Sequence, residues 1–207
     1  MRPQYVRRVR LRFDGLIAGM GTESGTRLVV GMWARSPFGP IVDAMIETGD
    51  GHRVLVAPSA EVAAFIAATY AFDEVRTERT ELRLTPHGAT VTSTSLQLTV
   101  QVGPRTAVGW LLSAIPPAVA RSPLWCRAID PFARVLRPGV RTVGTAGGGR
   151  REYYCAVDEH ALTRVDAAWE GTPLGSLTPV APPVRFGFGS SPRRPSLVRV
   201  TTLIDIP

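Results

Sequence analysis

The sequence predicts an α+β protein, mainly an antiparallel β-barrel or strongly curved sheet, with one amphipathic helix and a short helical insertion. Three observations lead there. About ten segments show the alternation or the short apolar runs of strands. Before residue 104 a single segment has clean helical spacing. The strands also follow one another through turns, without the strand–helix–strand rhythm of a parallel sheet. The 18 prolines and 20 glycines supply those turns. Residues 1–207 read as a single β-rich domain with a helical insertion at about 104–138, long enough to bury well over half of the unfolded surface.

Val9, Leu11 and Phe13 alternate with Arg8, Arg10 and Arg12, the pattern of a strand with one face in the core. Arg27 to Trp33 is a second apolar run, closed by the turn residues of Arg35 to Pro40. Ile41 to Thr48 and His52 to Ala57 flank Gly49, Asp50 and Gly51, a hairpin with Asp50-Gly51 at its turn. Ser59 is placed to cap a helix over Ala60 to Tyr70, whose Val62, Phe65, Ile66 and Thr69 share one face. Strands resume at Phe72 to Arg79, at Thr80 to Thr85 and, past Pro86, His87 and Gly88, at Ala89 to Thr94. Leu96, Leu98, Val100 and Val102 alternate with Gln97, Thr99 and Gln101 as a half-buried strand.

Thr106 to Ile115 is helical and stops at Pro116-Pro117. Ser122-Pro123 and Asp130-Pro131 each set an N-cap residue before a proline at the first helical position, so two or three short helices are expected rather than one long one. Packing against the core accounts for Trp110, Leu111, Leu112, Ile115 and Trp125; a membrane-surface or lid role is the alternative. Strands return at Glu152 to Val157, Leu162 to Glu170 and Leu197 to Ile204, the last two separated by a connection rich in proline and glycine.

All 24 cationic side chains are arginine; lysine and asparagine are absent. Schiff-base chemistry, a P-loop lysine and a desolvated amine base are thereby excluded. Both missing residues have AT-rich codons, so a GC-rich genome accounts for part of the arginine content. Net charge is +7, but it alternates: +5 over residues 1–40, −5 over 41–82, +8 over 83–151 and −1 thereafter. Alternation suits basic and acidic segments that face each other in the fold, and it leaves a continuous nucleic-acid stripe as the other reading. The N-terminus has no apolar stretch of signal-peptide length, no segment is suited to spanning a bilayer, and Cys126 and Cys155 allow one disulfide; a cytoplasmic location is expected.

The candidate ligand-binding residues are Arg35, Gly147, Gly148, Gly149, Arg150, Arg151 and Arg185. Successive glycines let backbone N–H groups converge on an anion, and neighbouring arginines complete a phosphate or carboxylate clamp. The same run reads as a loop or bulge entering a strand. Arg185 to Arg194 mixes aromatics, glycines and arginines as single-strand nucleic-acid loops do, or packs over the barrel end. Asp158 and His160 share a face if they lie on a strand, where the carboxylate would orient the imidazole of an acid–base enzyme. The scattered histidines and the two unpaired cysteine positions form no metal-ligand spacing, and no cofactor is expected.

The stretch Gly31 to Pro40 (Gly-Met-Trp-Ala-Arg-Ser-Pro-Phe-Gly-Pro), followed by Ala57-Pro58-Ser59 and Tyr70 to Val75, resembles a family of uncharacterised proteins from GC-rich bacteria. The resemblance extends through Gly147 to Tyr153 and Arg185 to Pro195 and implies kinship without a known activity. The order of strands, one helix, strands, a helical insertion and final strands is similar to acetoacetate-decarboxylase-like barrels. That family forms its Schiff base on a lysine, so a shared fold here implies different chemistry. The leading expectation is a β-barrel that binds an acidic or amphipathic small molecule; the alternatives are a nucleic-acid-binding module and an enzyme using Asp158 and His160. Convergence of Arg35, Arg150, Arg151 and Arg185 would be hard to assign to codon usage.

Overall fold

A computed structural model describes residues 9–136, 140–145, 147–187 and 191–206. Arg8 of the first expected strand, Ala146 of the glycine run and Phe188, Gly189 and Ser190 of the later loop lie outside them. The described elements are, in chain order, β1 (Val9–Thr22), β2 (Arg27–Arg35), β3 (Ile41–Glu47), β4 (Arg53–Ala57), α1 (Ala60–Ala67), β5 (Glu74–Thr77), β6 (Glu81–Thr85), β7 (Gly88–Thr92) and β8 (Leu96–Arg105). There follow α2 (Ala107–Ser113), α3 (Pro117–Ala120), α4 (Pro123–Leu136), β9 (Val143–Thr145), β10 (Arg151–Trp169), β11 (Thr172–Pro173), β12 (Leu177–Thr178) and β13 (Ser196–Ile206).

The strands form one strongly curved sheet in the order β5-β4-β3-β2-β1-β13-β10-β8-β7-β6, with β9 and β11 paired to β10 and β12 to β1. Its two ends, β5 and β6, are joined in sequence by residues 78–80 yet are not paired, so the sheet curls without closing. Curling brings Val30, Ala44 and Val56 from one half against Val91, Leu98 and Val165 from the other in one buried core. The seam between the halves is held by side chains: Ser95 donates to the Glu78 carboxylate, and Arg76 pairs with Glu170 at 2.6 Å.

The expected strand patterns translate directly where they are local. Ser59 caps α1 by accepting from Val62 N–H at 3.3 Å, and Asp50-Gly51 turns the β3–β4 hairpin with Gly51 at φ 91°. Two features differ. β4 and β5 are parallel, joined by α1 as one crossover unit in an otherwise antiparallel sheet. The two strands expected on either side of residues 158–161 are a single strand, β10, whose register shifts absorb that segment.

The insertion also differs from expectation at Asp130-Pro131. Instead of starting a new helix there, α4 runs through Pro131. The reason lies in the Asp130 side chain. Its carboxylate accepts from the Thr142 and Val143 amides at 2.8 and 3.2 Å, holding the chain beyond the helix rather than capping a helix of its own. α4 packs Cys126 on Tyr153, Cys155 and Leu203 of the sheet. Trp110 and Leu111, expected in the core, are about two-thirds exposed; the Arg105 guanidinium lies 4.7 Å from the Trp110 ring centre. Among the described residues no helix is long and apolar enough to cross a membrane.

Candidate functional site

Side chains alternate across a strand, so residues that flank the core positions of β1, β2 and β3 point to the other side of the sheet. There Ile17, Val29, Trp33, Ile41 and Met45 face α1, whose Val62, Phe65 and Ile66 close over them. β10 and β13 extend this surface with Glu152, Tyr154, Ser196, Val198 and Thr202, and Phe186, Gly187, Ser191 and Pro192 cover it. Between these layers lies a cavity of about 120 Å³. Glycines make part of the room: a Cβ on Gly19 would collide with Ser191 Oγ, and one on Gly31 would come within 2.5 Å of Trp33 Nε1 and 2.7 Å of Asp43 Oδ1.

Two carboxyl groups enter this mostly apolar space. Asp43 is 3% exposed and accepts one hydrogen bond from Trp33 Nε1, at 2.8 Å. Burial pushes its pKa up to about 7, against a smaller lowering by the indole. Glu152 is 4% exposed, and Tyr70 Oη lies 2.8 and 2.7 Å from its two oxygens, donating to them. Burial lifts Glu152 to about 7 as well, again partly offset by the hydroxyl. The Tyr70 hydroxyl is itself driven well above its ordinary range by burial and by the Glu152 charge. Each carboxyl therefore exchanges its proton near neutrality, which suits a group that binds or moves a proton.

Three hydroxyls on the same surface, Ser191 Oγ, Ser196 Oγ and Thr202 Oγ1, are buried and have no hydrogen-bond partner among the described residues. The cover that carries Ser191 is anchored by charge. Glu47 is fully buried and pairs with Arg27 at 2.9 Å and with Arg185 Nε at 2.8 Å, while the Arg185 amide donates to its other oxygen. Burial favours the neutral acid, but the two arginines outweigh it and hold the Glu47 pKa below its ordinary value. Next to this clamp, Ala71 N–H donates to Phe186 O at 2.7 Å, which sets Phe186 at the cavity edge.

The arginines and glycines singled out in the sequence occupy separate places. Arg35 is exposed at the end of β2, in register with Asp14. Gly147, Gly148 and Gly149 form one 3₁₀ turn against the end of α1, with Gly147 N–H donating to Thr69 O and positive φ at Gly148 and Gly149. Arg150 donates to Phe65 O at 2.8 Å and lies 4.6 Å from that ring's centre, so it caps α1. Arg151 is exposed on the far side of the sheet, and Arg185 serves Glu47. None of these arginines lines the cavity among the described residues. Asp158 and His160 do share a face, with Nε2 and Oδ2 3.6 Å apart, but Asp158 is engaged by Arg105 at 2.9 Å. That ion pair, with the backbone amide of Glu159, keeps Asp158 below the ordinary carboxylate range despite its partial burial.

Asp43, Glu152 and Tyr70, three ionisable side chains that line the cavity, are not among the residues singled out in the sequence. One signal was present: Asp43 interrupts the apolar run Ile41-Val42-Asp43-Ala44-Met45-Ile46, where an acid on a buried strand is unusual. Among the described residues no group of three or more histidines, cysteines or acids is arranged to hold a metal ion.

No family model matches the chain, and no curated protein matches it by sequence. Among solved structures it is similar to acetoacetate decarboxylase from Legionella pneumophila, with 10% identity and a TM-score of 0.44, over 96% of this chain and 85% of that one. A second acetoacetate decarboxylase structure gives 8% identity and a TM-score of 0.47, over 96% and 87% of the two chains.

Proposed function

We propose that the protein binds a small amphipathic molecule in the cavity between α1 and the sheet. The observation that carries this reading is the union of apolar walls with buried hydroxyls at Ser191, Ser196 and Thr202 that have no partner among the described residues. Such groups cost stability unless something hydrogen-bonds to them. A volume of about 120 Å³ is slightly below the roughly 150 Å³ of an apolar cavity that accepts benzene, so the apolar body of the ligand is of that order. Asp43, Glu152 and Tyr70 favour a head group that donates or shares a proton, such as an alcohol, phenol or amine. A carboxylate head would enter with proton uptake and bind more weakly as pH rises, because no described arginine faces it.

A panel of small alcohols, phenols, amines and carboxylates tested by thermal shift addresses this. At least one proton-donating class is expected to raise Tm, and Ser196→Leu, which fills one wall and removes an unpartnered hydroxyl, is expected to abolish that rise while remaining folded. No stabilisation by any class, or equal stabilisation of Ser196→Leu, refutes the proposal.

A second reading, general acid–base catalysis in the same cavity, is favoured by the two carboxyls whose proton affinities lie near pH 7. It predicts that a bound compound is converted, and that Glu152→Gln binds it without conversion.

A further inference from the structure

The α2–α4 insertion presents a surface with the opposite character. At 100° per residue, Leu124, Ala128, Pro131, Phe132 and Val135 fall on one side of α4. That side faces solvent: Leu124, Phe132 and Val135 are 75%, 69% and 80% exposed, while Cys126 and Asp130, on the other side, are buried. α4 is thus apolar on its outward side as well as beneath, where Trp125, Cys126 and Ile129 are wholly or partly buried. Along its edge run Arg127 and Arg134, which form a groove with Arg141 and Arg151. Asp130 is the one acid in that groove among the described residues, and it is already held by the Thr142 and Val143 amides and by Arg134 at 2.5 Å. Arg127 donates to Tyr153 Oη at 2.7 Å, and no described carboxylate pairs with Arg127, Arg141 or Arg151. These four arginines come from α4, the chain after it and β10, a convergence that codon usage does not produce.

We propose that α4 and the adjoining arginine groove dock on an anionic lipid surface, with Leu124, Phe132 and Val135 entering the headgroup boundary and the arginines meeting lipid phosphates. An apolar stripe edged by cations is the arrangement that such a surface rewards. A nucleic acid would use the arginines but leave Leu124 and Val135 in water. A second copy packed antiparallel through α4 would bring like edges together, setting Arg127 and Arg134 of one copy against those of the other without a free acid between them.

The test is co-sedimentation of the full chain with phosphatidylcholine vesicles and with vesicles that also contain phosphatidylglycerol. Binding is expected only to the latter, weakening with salt. Arg141→Gln should lower the partition coefficient about fivefold, and Phe132→Ser/Val135→Ser should remove binding with Tm unchanged, since both side chains are exposed. Failure to bind anionic vesicles at low salt overturns the proposal, as does undiminished binding by the double serine variant. A dimer in light scattering that this variant dissociates, or binding of single-stranded RNA in place of vesicles, overturns it equally.

Discussion

Glu152→Gln tests the chemistry of the cavity through stability alone. In the unfolded chain a glutamate loses its proton near pH 4.5. Folded, Glu152 keeps it to about 7, because burial outweighs the Tyr70 hydrogen bond. The folded state therefore binds more protons between those values, and its stability is full at the acid end of the window and lost as pH rises through about 7. At about 1.4 kcal/mol per pKa unit, the rise from 4.5 to about 7 corresponds to on the order of 3 kcal/mol. Glutamine keeps an oxygen to accept from Tyr70 and cannot titrate. Urea unfolding at pH 5 and pH 8, followed by tryptophan fluorescence, should show the wild type losing more stability than Glu152→Gln over that interval, by about 2.5 kcal/mol. Asp43 is raised into the same window but is present in both proteins, so its share cancels in the difference between them; Glu47, Asp130 and Asp158 are held low and act on stability below the window. Equal losses in the two proteins would mean that Glu152 is ionised in the folded state at pH 5, and the account of a dry, proton-holding wall would fail.

Two further outcomes follow from other buried pairs. Glu47→Gln leaves Arg27 as a buried cation without its anion and releases the cover held by Arg185; a loss on the order of 3 kcal/mol in urea unfolding is expected, and a loss below about 1 kcal/mol would contradict the clamp. The Cys126 and Cys155 sulfurs lie 2.6 Å apart but are buried, so refolding from urea in the presence of glutathione disulfide, which gives the oxidant access to both thiols, should yield an intact mass lower by two hydrogens, with about 3 kcal/mol of added stability from closing the loop between them; a persistent glutathione adduct without that mass loss would rule out the intramolecular bond.

Much of the fold was legible because its signals are local. The alternation from Leu96 to Val102 became β8, Ser59 capped α1, and Asp50-Gly51 turned a hairpin. What could not be read depends on meetings between distant segments. Asp130 has the local form of an N-cap, but Thr142 and Val143 supply better donors once the chain has returned. Asp43 and Glu152 resemble other acids until β1, β2 and β13 bring β3 and β10 to either side of one cavity. The arginines expected to converge were chosen for neighbouring glycines and aromatics. Those that do converge include Arg127, Arg134 and Arg141, spaced by seven, a repetition visible in the sequence but without meaning until α4 is known to continue through Pro131.

The strand β10 gives the two faces of the molecule a common spine. Glu152 and Tyr154 line the cavity, whereas Tyr153 and Cys155 lie beneath α4, where Tyr153 accepts from Arg127. Four consecutive residues thus serve two compartments in strict alternation, and a slip by one position would put a carboxyl under the helix and a buried tyrosine in the cavity. Neither compartment can be reshaped at this strand without disturbing the other, so any lineage that changes what the cavity accepts must also preserve, or rebuild, the seat of the outer helix.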